Sequence, residues 1–200
     1  MAMNKKLLCV FLCLVLFIPF HAARALLVTV SQKDVEVALR EGKEKGDQIA
    51  EYVNRNYRFG EEDTFGENGI IRTKLGKLMV LSGLLASKNR TPSDEDLKSI
   101  LTSTDLQIDL HTFGGRMDFA NSYTTYVIQA GKRIDPEKIA VDDVAYLVRE
   151  GFATSGFPRY RATIRSYFFY DKINPAGKAE IVLVKDKKKV SFEVDFAEYK

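Results

Sequence analysis

The spacing of apolar residues changes near position 105, and this change constrains the fold more than any other feature of the chain. Before it, apolar residues recur every three or four positions, which is the period of an amphipathic helix. After it they alternate with polar residues, as in a strand with one buried face. We therefore predict an α+β fold, with an N-terminal helical hairpin packed on a C-terminal, mainly antiparallel β-sheet or small sandwich.

Three helices are predicted before this change. The first, at residues 31–57, begins with a capping box and carries small side chains every four residues. The second, at residues 70–87, is more apolar and places Gly76 and Gly83 near one face. Small residues allow two helices to approach closely, so we expect these two to form an antiparallel hairpin. The third, at residues 91–101, begins with a hydroxyl residue, a proline and three acids, as helix starts commonly do.

The β region, residues 105–200, is expected to pack with the helical region, residues 26–104, as one compact unit. Its last part predicts a three-stranded antiparallel meander with turns near Pro175 and Lys187. Residues 134–151 are ambiguous, and their acidic starts favour a short helix that ends at Gly151. The predicted strands are residues 105–111, 123–130, 159–170, 179–185 and 190–196.

The first 25 residues have the three parts of a cleavable secretory signal peptide. Lys5 and Lys6 precede an apolar run of 14 residues, Leu7–Phe20, and small residues occupy the −3 and −1 positions of a cleavage site at Ala25. The run is shorter than the roughly 20 residues that span a bilayer. An uncleaved anchor is the alternative, because Leu26–Val30 is apolar again. We expect cleavage near Ala25 and export to the periplasm or the secreted space.

Removal of this segment changes the chemistry that is available. Cys9, Cys13 and His21 leave with it, and Lys plus Arg falls from 30 to 27, equal to the 27 Asp plus Glu. The mature domain then has no thiol, one imidazole (His111) and no net charge. Disulfides, thiol catalysis and a zinc site of Cys and His ligands are excluded, and the basic excess typical of nucleic-acid binding is absent. We predict no metal, no cofactor and no nucleic-acid partner.

A basic and aromatic strand face is the first candidate for function. Arginine offers a planar fork to carboxylates, and aromatic rings add contact area. We interpret this face as the binding surface of an exported, non-enzymatic module whose partner is an envelope or extracellular protein, a peptide or a glycan. The alternative is a solvated face on which the arginines pair with Glu193 and Asp195 of a neighbouring strand. The predicted binding residues are Arg159, Arg161, Arg165, Tyr167 and Phe169.

An acid–imidazole cluster is the second candidate. Asp109 and His111 are two apart on a predicted strand and therefore point the same way. A carboxylate that orients an imidazole can prepare a general base, so His111 with Asp109 or Asp118 predicts an exported hydrolase as the alternative function. The chain has no Gly-x-Ser-x-Gly nucleophile motif, and a surface histidine is the simpler interpretation.

Three consecutive lysines are the third candidate. Lys187, Lys188 and Lys189 occupy a predicted hairpin tip, where they could contact anionic lipid as a peripheral membrane site. A solvated turn is the alternative interpretation of the same residues.

Overall fold

The computed structural model describes residues 29–61, 66–142, 145–148 and 160–199, and there the predicted α+β architecture is confirmed. The predicted signal peptide lies outside these residues. None of the described helices is long and apolar enough to cross a membrane. The helices are α1 (Gln32–Lys45), α2 (Ile49–Asn56), α3 (Lys74–Ala86) and α4 (Asp94–Thr102). The strands are β1 (Arg58–Gly60), β2 (Asn68–Arg72), β3 (Asp105–Gly114), β4 (Tyr123–Gln129), β5 (Lys132–Ile134), β6 (Lys138–Val141), β7 (Tyr146–Leu147), β8 (Tyr160–Phe169), β9 (Lys178–Lys185) and β10 (Lys188–Asp195).

Helices α1 and α2 are two parts of the first predicted helix. The capping box at Ser31 and Asp34 is confirmed: each residue's backbone N–H donates to the other's side-chain oxygen at 3.2 Å. At Gly46 the backbone takes a φ of +50°, which favours glycine, and a short 3₁₀ turn separates the two helices. The expected packing of α1 on α3 is present, and the Ser82 hydroxyl of α3 donates to the Leu39 carbonyl of α1 at 2.7 Å.

The start of the second helix was predicted too early. Ile70 and Ile71 belong to strand β2, which pairs with β1 on one side and β3 on the other, and helix α3 begins only at Lys74. Only Ile70 and Ile71 are apolar in this strand, and two adjacent apolar residues show neither the period of a strand nor that of a helix. The cap of α3 is Thr73, whose hydroxyl accepts from the Gly76 N–H at 3.0 Å.

Two antiparallel sheets form a sandwich. The six-stranded sheet has the order β1-β2-β3-β8-β6, with β7 pairing with the start of β8, and the four-stranded sheet has the order β10-β9-β4-β5. Contacts between the facing sides join the two sheets: the hydroxyls of Thr125 and Ser166 lie 2.6 Å apart, and the rings of Phe59 and Phe192 have centroids 5.3 Å apart.

The predicted C-terminal meander is only partly correct. β9 and β10 form the expected hairpin, but β8 belongs to the other sheet, where it pairs with β3 and β6. Glu193 and Asp195 therefore lie on the four-stranded sheet and do not flank the arginines of β8. The short helix predicted within residues 134–151 is also wrong in its described part, which contains β6 and β7.

One hydrophobic core contacts both sheets and the helices. Its most buried side chains come from α2, α3 and every long strand of the sandwich, because each of these elements has one apolar face to cover. The side chains that are less than 2% exposed include Ile49, Leu78, Ile108, Ile164, Ile181 and Phe196.

Candidate functional site

The outer face of the six-stranded sheet contains residues from both predicted groups, the basic strand face and the acid–imidazole cluster. Strands β3 and β8 pair so that Asp109 lies opposite Arg165 and His111 lies opposite Thr163. Directly opposite residues of two paired strands point to the same side of a sheet. The fold therefore combines the two candidate groups into one surface on the side away from the core. Arg159 lies outside the described residues.

Asp109 is a buried structural carboxylate on this face. One of its oxygens accepts from Arg72 Nε at 2.8 Å, and the other accepts from Gln107 Nε2 at 2.7 Å. The Asp109 side chain is 6% exposed and that of Arg72 is 26% exposed, so solvent screens this ion pair only weakly. Among the described residues, no hydrogen bond joins Asp109 to His111, whose Nδ1 contacts Asn68.

His111 is oriented by an amide instead. Its Nδ1 lies 3.0 Å from Asn68 Oδ1, and Asn68 Nδ2 donates to the Gly66 carbonyl at 2.8 Å. The second bond turns Asn68 Oδ1 towards the imidazole, so Nδ1 carries the proton of the neutral ring and Nε2 is left as an acceptor.

Burial and nearby guanidinium groups keep this imidazole neutral. Burial is the main reason that the pKa of His111 lies below its usual value, and Asp109 opposes that shift. The cationic groups that lower it further are Arg161, Arg72 and Arg58.

Asp118, the other predicted partner of His111, lies apart from this cluster. It is on the turn after β3, where its carboxylate accepts from Arg116 Nε at 2.9 Å and from Arg116 Nη2 at 2.8 Å. This hydrogen bonding holds the pKa of Asp118 below its usual value. It is not among the charged groups that shift the pKa of His111. The described residues therefore do not assemble a triad of Asp109, His111 and Asp118.

The two described arginines of the predicted binding face differ in their partners. Arg165 Nη1 donates to Asp142 Oδ1 at 2.7 Å, and the other oxygen of Asp142 accepts from the Thr163 N–H at 2.9 Å. Arg161 is exposed and forms no ion pair within the described part of the chain. Of the two described arginines, Arg161 is therefore the one whose guanidinium can accept an added carboxylate as a partner.

Tyr167 and Phe169 lie at the opposite end of β8 from Arg161. Both side chains are half-buried. The Lys138 ammonium lies 5.8 Å from the centroid of the Tyr167 ring, and the Lys172 ammonium lies 5.0 Å from that of Phe169. These cations cover part of each ring, which leaves less aromatic surface for a ligand.

Exposed apolar residues near Arg161 have no counterpart among the residues predicted from the sequence. Tyr146 of β7 lies directly opposite Arg161 and is 66% exposed. Leu147, 61% exposed, pairs with Tyr160 and therefore points to the other face of the sheet. Met117, 54% exposed, is joined to this strand where its carbonyl accepts from the Ala145 N–H at 3.4 Å. A two-residue strand has no detectable period, so the sequence carries no signal for this patch.

No protein-family model matches the chain, and no curated protein matches it in sequence. Among the side chains that the structure describes, no three His, Cys, Asp or Glu residues are arranged to hold a metal ion. The function is therefore inferred from the geometry of the surface around Arg161.

Proposed function

We propose that the chain is an exported, non-enzymatic binding module that holds an acidic segment of an envelope or extracellular protein. The binding surface is the outer face of the six-stranded sheet around Arg161. The observation that carries this proposal is the combination of an exposed Arg161, which forms no ion pair with the residues that the structure describes, with the exposed Tyr146 directly opposite it. Arginine, tyrosine and methionine are the side chains that protein interfaces use most as anchors.

The charges around this surface favour an acidic ligand. Asp109 and Asp142 are already neutralised by Arg72 and Arg165, respectively. No carboxylate among the described residues pairs with Arg161, so its positive charge is available to a ligand on this face. A ligand carboxylate can accept two hydrogen bonds from one guanidinium, which fixes its orientation as well as its position.

A peptide-binding assay tests the proposal directly. Fluorescein-labelled hexaglutamate is titrated against the mature protein, and fluorescence anisotropy reports binding. We expect Arg161→Ala to weaken binding about tenfold, the cost of removing an interface anchor. The matched control is Arg133→Ala, since Arg133 is exposed on the four-stranded sheet and pairs with Asp135. Equal binding by both variants would contradict the assignment of the surface.

A crosslinking experiment tests the same surface in the cell. A photo-reactive phenylalanine analogue replaces Tyr146, and the envelope is irradiated. We expect one discrete protein adduct that is lost when Arg161→Ala is added and retained when Arg133→Ala is added. An adduct that survives Arg161→Ala would show that the partner is held elsewhere.

His111 gives one specific observation in favour of a second function, a hydrolase. Its neutral ring is oriented by Asn68 and leaves Nε2 able to accept a proton, as a general base requires. The carboxylates of Asp109 and Asp118 are paired with arginines, so neither supports it directly. Hydrolysis of p-nitrophenyl acetate by wild type but not by His111→Ala would favour the hydrolase, and equal rates would remove it.

A further inference from the structure

A separate cavity lies at the end of the sandwich where β9 turns into β10. Its volume is about 630 Å³, within the range of small-ligand sites. Neither Arg161 nor Tyr146 lines it. Its apolar wall is formed by Phe113, Leu183 and Val190.

Two polar residues that line this cavity, Glu67 and Tyr123, share the neighbouring Thr112. The Thr112 hydroxyl, which is fully buried, donates to the Tyr123 hydroxyl at 3.0 Å and lies 3.4 Å from Glu67 Oε1. Burial raises the pKa of Glu67, and the nearby Thr112 hydroxyl and Lys188 ammonium oppose that shift. Charge on Glu67 is therefore less favourable here than on an exposed glutamate.

The rim of the cavity is cationic. Lys185, Lys187 and Lys188 line it, and within the described residues none of them forms an ion pair. The Lys185 ammonium lies 5.0 Å from the centroid of the Tyr123 ring, which holds it over the cavity wall. The neighbouring Lys189 differs, because it pairs with Glu180 at 3.0 Å.

We propose that this cavity binds a single-chain amphiphilic carboxylate of the fatty-acid class. Its carboxylate lies between Lys185 and Lys188, and its chain lies against Phe113, Leu183 and Val190. The cavity complements such a ligand. Its three lysines, which form no ion pair within the described residues, outnumber the two lining carboxylates, Glu67 and Asp186, and three apolar side chains line the same cavity.

The charge preference of the cavity is tested with two matched detergents. Isothermal titration calorimetry measures dodecanoate, below its micelle concentration, and dodecyltrimethylammonium, which has the same chain and the opposite charge. We expect one saturable site for dodecanoate and no heat from the cation. Equal binding of the two would overturn the proposal.

Substitutions of lining residues that carry opposite charges should shift the dodecanoate affinity in opposite directions. Lys188→Gln removes a cation and should weaken binding about fivefold, whereas Glu67→Gln removes a competing carboxylate and should tighten it about threefold. Val190→Trp fills the apolar part and should abolish binding. Lys132→Gln on β5 is the control, because Lys132 is exposed and does not line the cavity.

The outcomes distinguish this site from a membrane contact and from misfolding. Thermal melts of each variant check that it folds, and the opposite shifts of Lys188→Gln and Glu67→Gln test the site even if Val190→Trp does not fold. Shifts of the same sign, or no shift, would contradict the proposal. Binding to phosphatidylglycerol vesicles without binding of monomeric dodecanoate would assign the lysines to a lipid surface and overturn it.

Discussion

At the scale of single residues, burial determines what the ionisable groups near His111 do. Asp109 and Asp118 are the same residue type, and each pairs with an arginine at 2.8 Å. The side chain of Asp109 is 6% exposed and that of Asp118 is 58% exposed. An ion pair that loses one buried partner leaves a charge without compensation, whereas an exposed pair exchanges its partner for water.

Asp109→Ala is therefore expected to destabilise the fold. The change leaves Arg72 and Gln107 without their acceptor, and we expect the free energy of unfolding to fall by about 3 kcal/mol. Urea denaturation followed by circular dichroism measures it. Asp118→Ala is the matched control and should leave the unfolding midpoint unchanged. Equal midpoints for both variants would show that the Arg72–Asp109 pair contributes nothing.

The lowered pKa of His111 makes stability depend on pH. The unfolded chain takes up a proton near pH 6.5, the usual histidine value, whereas the folded protein takes it up only at a lower pH. The contribution of His111 is therefore present in full above about pH 6.5 and is lost as pH falls through the folded pKa.

NMR titration of the imidazole measures this shift without overlap, because His111 is one of two histidines in the chain and the other is His21 of the predicted signal peptide. We expect its midpoint below about 6.5. Urea midpoints between about pH 7 and pH 5 should fall less for His111→Gln than for wild type. A midpoint above 6.5 would contradict the neutral imidazole.

At the scale of elements, the helix pair α1–α3 depends on the absence of side chains at two glycines. A Cβ placed on Gly42 would meet the Met79 backbone, with Cα and C both at 2.9 Å. A Cβ on Gly83 would lie 2.9 Å from the Gly42 carbonyl oxygen of α1 and would also meet the Ile49 side chain of α2. The backbone of α3 cannot yield as the end of a flexible side chain can, so the two helices would have to separate.

Gly42→Ala should therefore destabilise the protein despite the better helix propensity of alanine. Alanine gains about 1 kcal/mol of propensity in a helix, but overpacking costs about 1–3 kcal/mol and the contact is with backbone. We expect a net loss of about 1–2 kcal/mol in urea denaturation. Gly115→Ala is the control, since no atom lies within 4 Å of its Cβ position. A stabilised Gly42→Ala would contradict the close packing.

Local sequence patterns predicted the helices and strands better than they predicted which strands pair with each other. The alternation in β3 and β8, the capping box at Ser31 and the β9–β10 turn depend on neighbouring residues, and the structure confirms them. The third predicted helix begins later than residue 91, because its cap is Ser93. The pairing of β8 with β3 joins residues far apart in sequence, and no local pattern encodes it. For that reason Asp142, and not Glu193, is the partner of Arg165.

The same limit applies to the candidate site. Sequence alternation placed Arg161, Arg165 and Asp109 on strand faces, and it could not show which arginine keeps a free guanidinium. Whether an arginine of β8 has a partner depends on β6 and β7. Both strands pair with the same edge of β8, β6 with its middle residues and β7 with its first two residues. The cavity was missed for a similar reason, because Glu67, Tyr123 and Lys188 come from three separate segments.

At the scale of the whole molecule, the proposed protein surface and the proposed fatty-acid cavity use different parts of one scaffold. β3 contributes to both, since His111 lies on the outer surface and Phe113, two residues further along the strand, lines the cavity. Because both proposed sites use strand β3, both depend on the packing that joins the helices to the two sheets.

The shared core predicts that the helices and the sandwich unfold together as one unit. Leu78 of α3 is fully buried in the same cluster as Ile164 of the six-stranded sheet and Ile181 of the four-stranded sheet. Leu78→Ala should lower the free energy of unfolding by about 3 kcal/mol through lost burial and a residual cavity. If the core is continuous, near-ultraviolet and far-ultraviolet circular dichroism should shift to the same lower urea midpoint. The exposed Leu84→Ala, in the same helix, is the control and should move neither signal. Different urea midpoints for the near-ultraviolet and far-ultraviolet signals would show that the helices and the sandwich do not unfold as one unit.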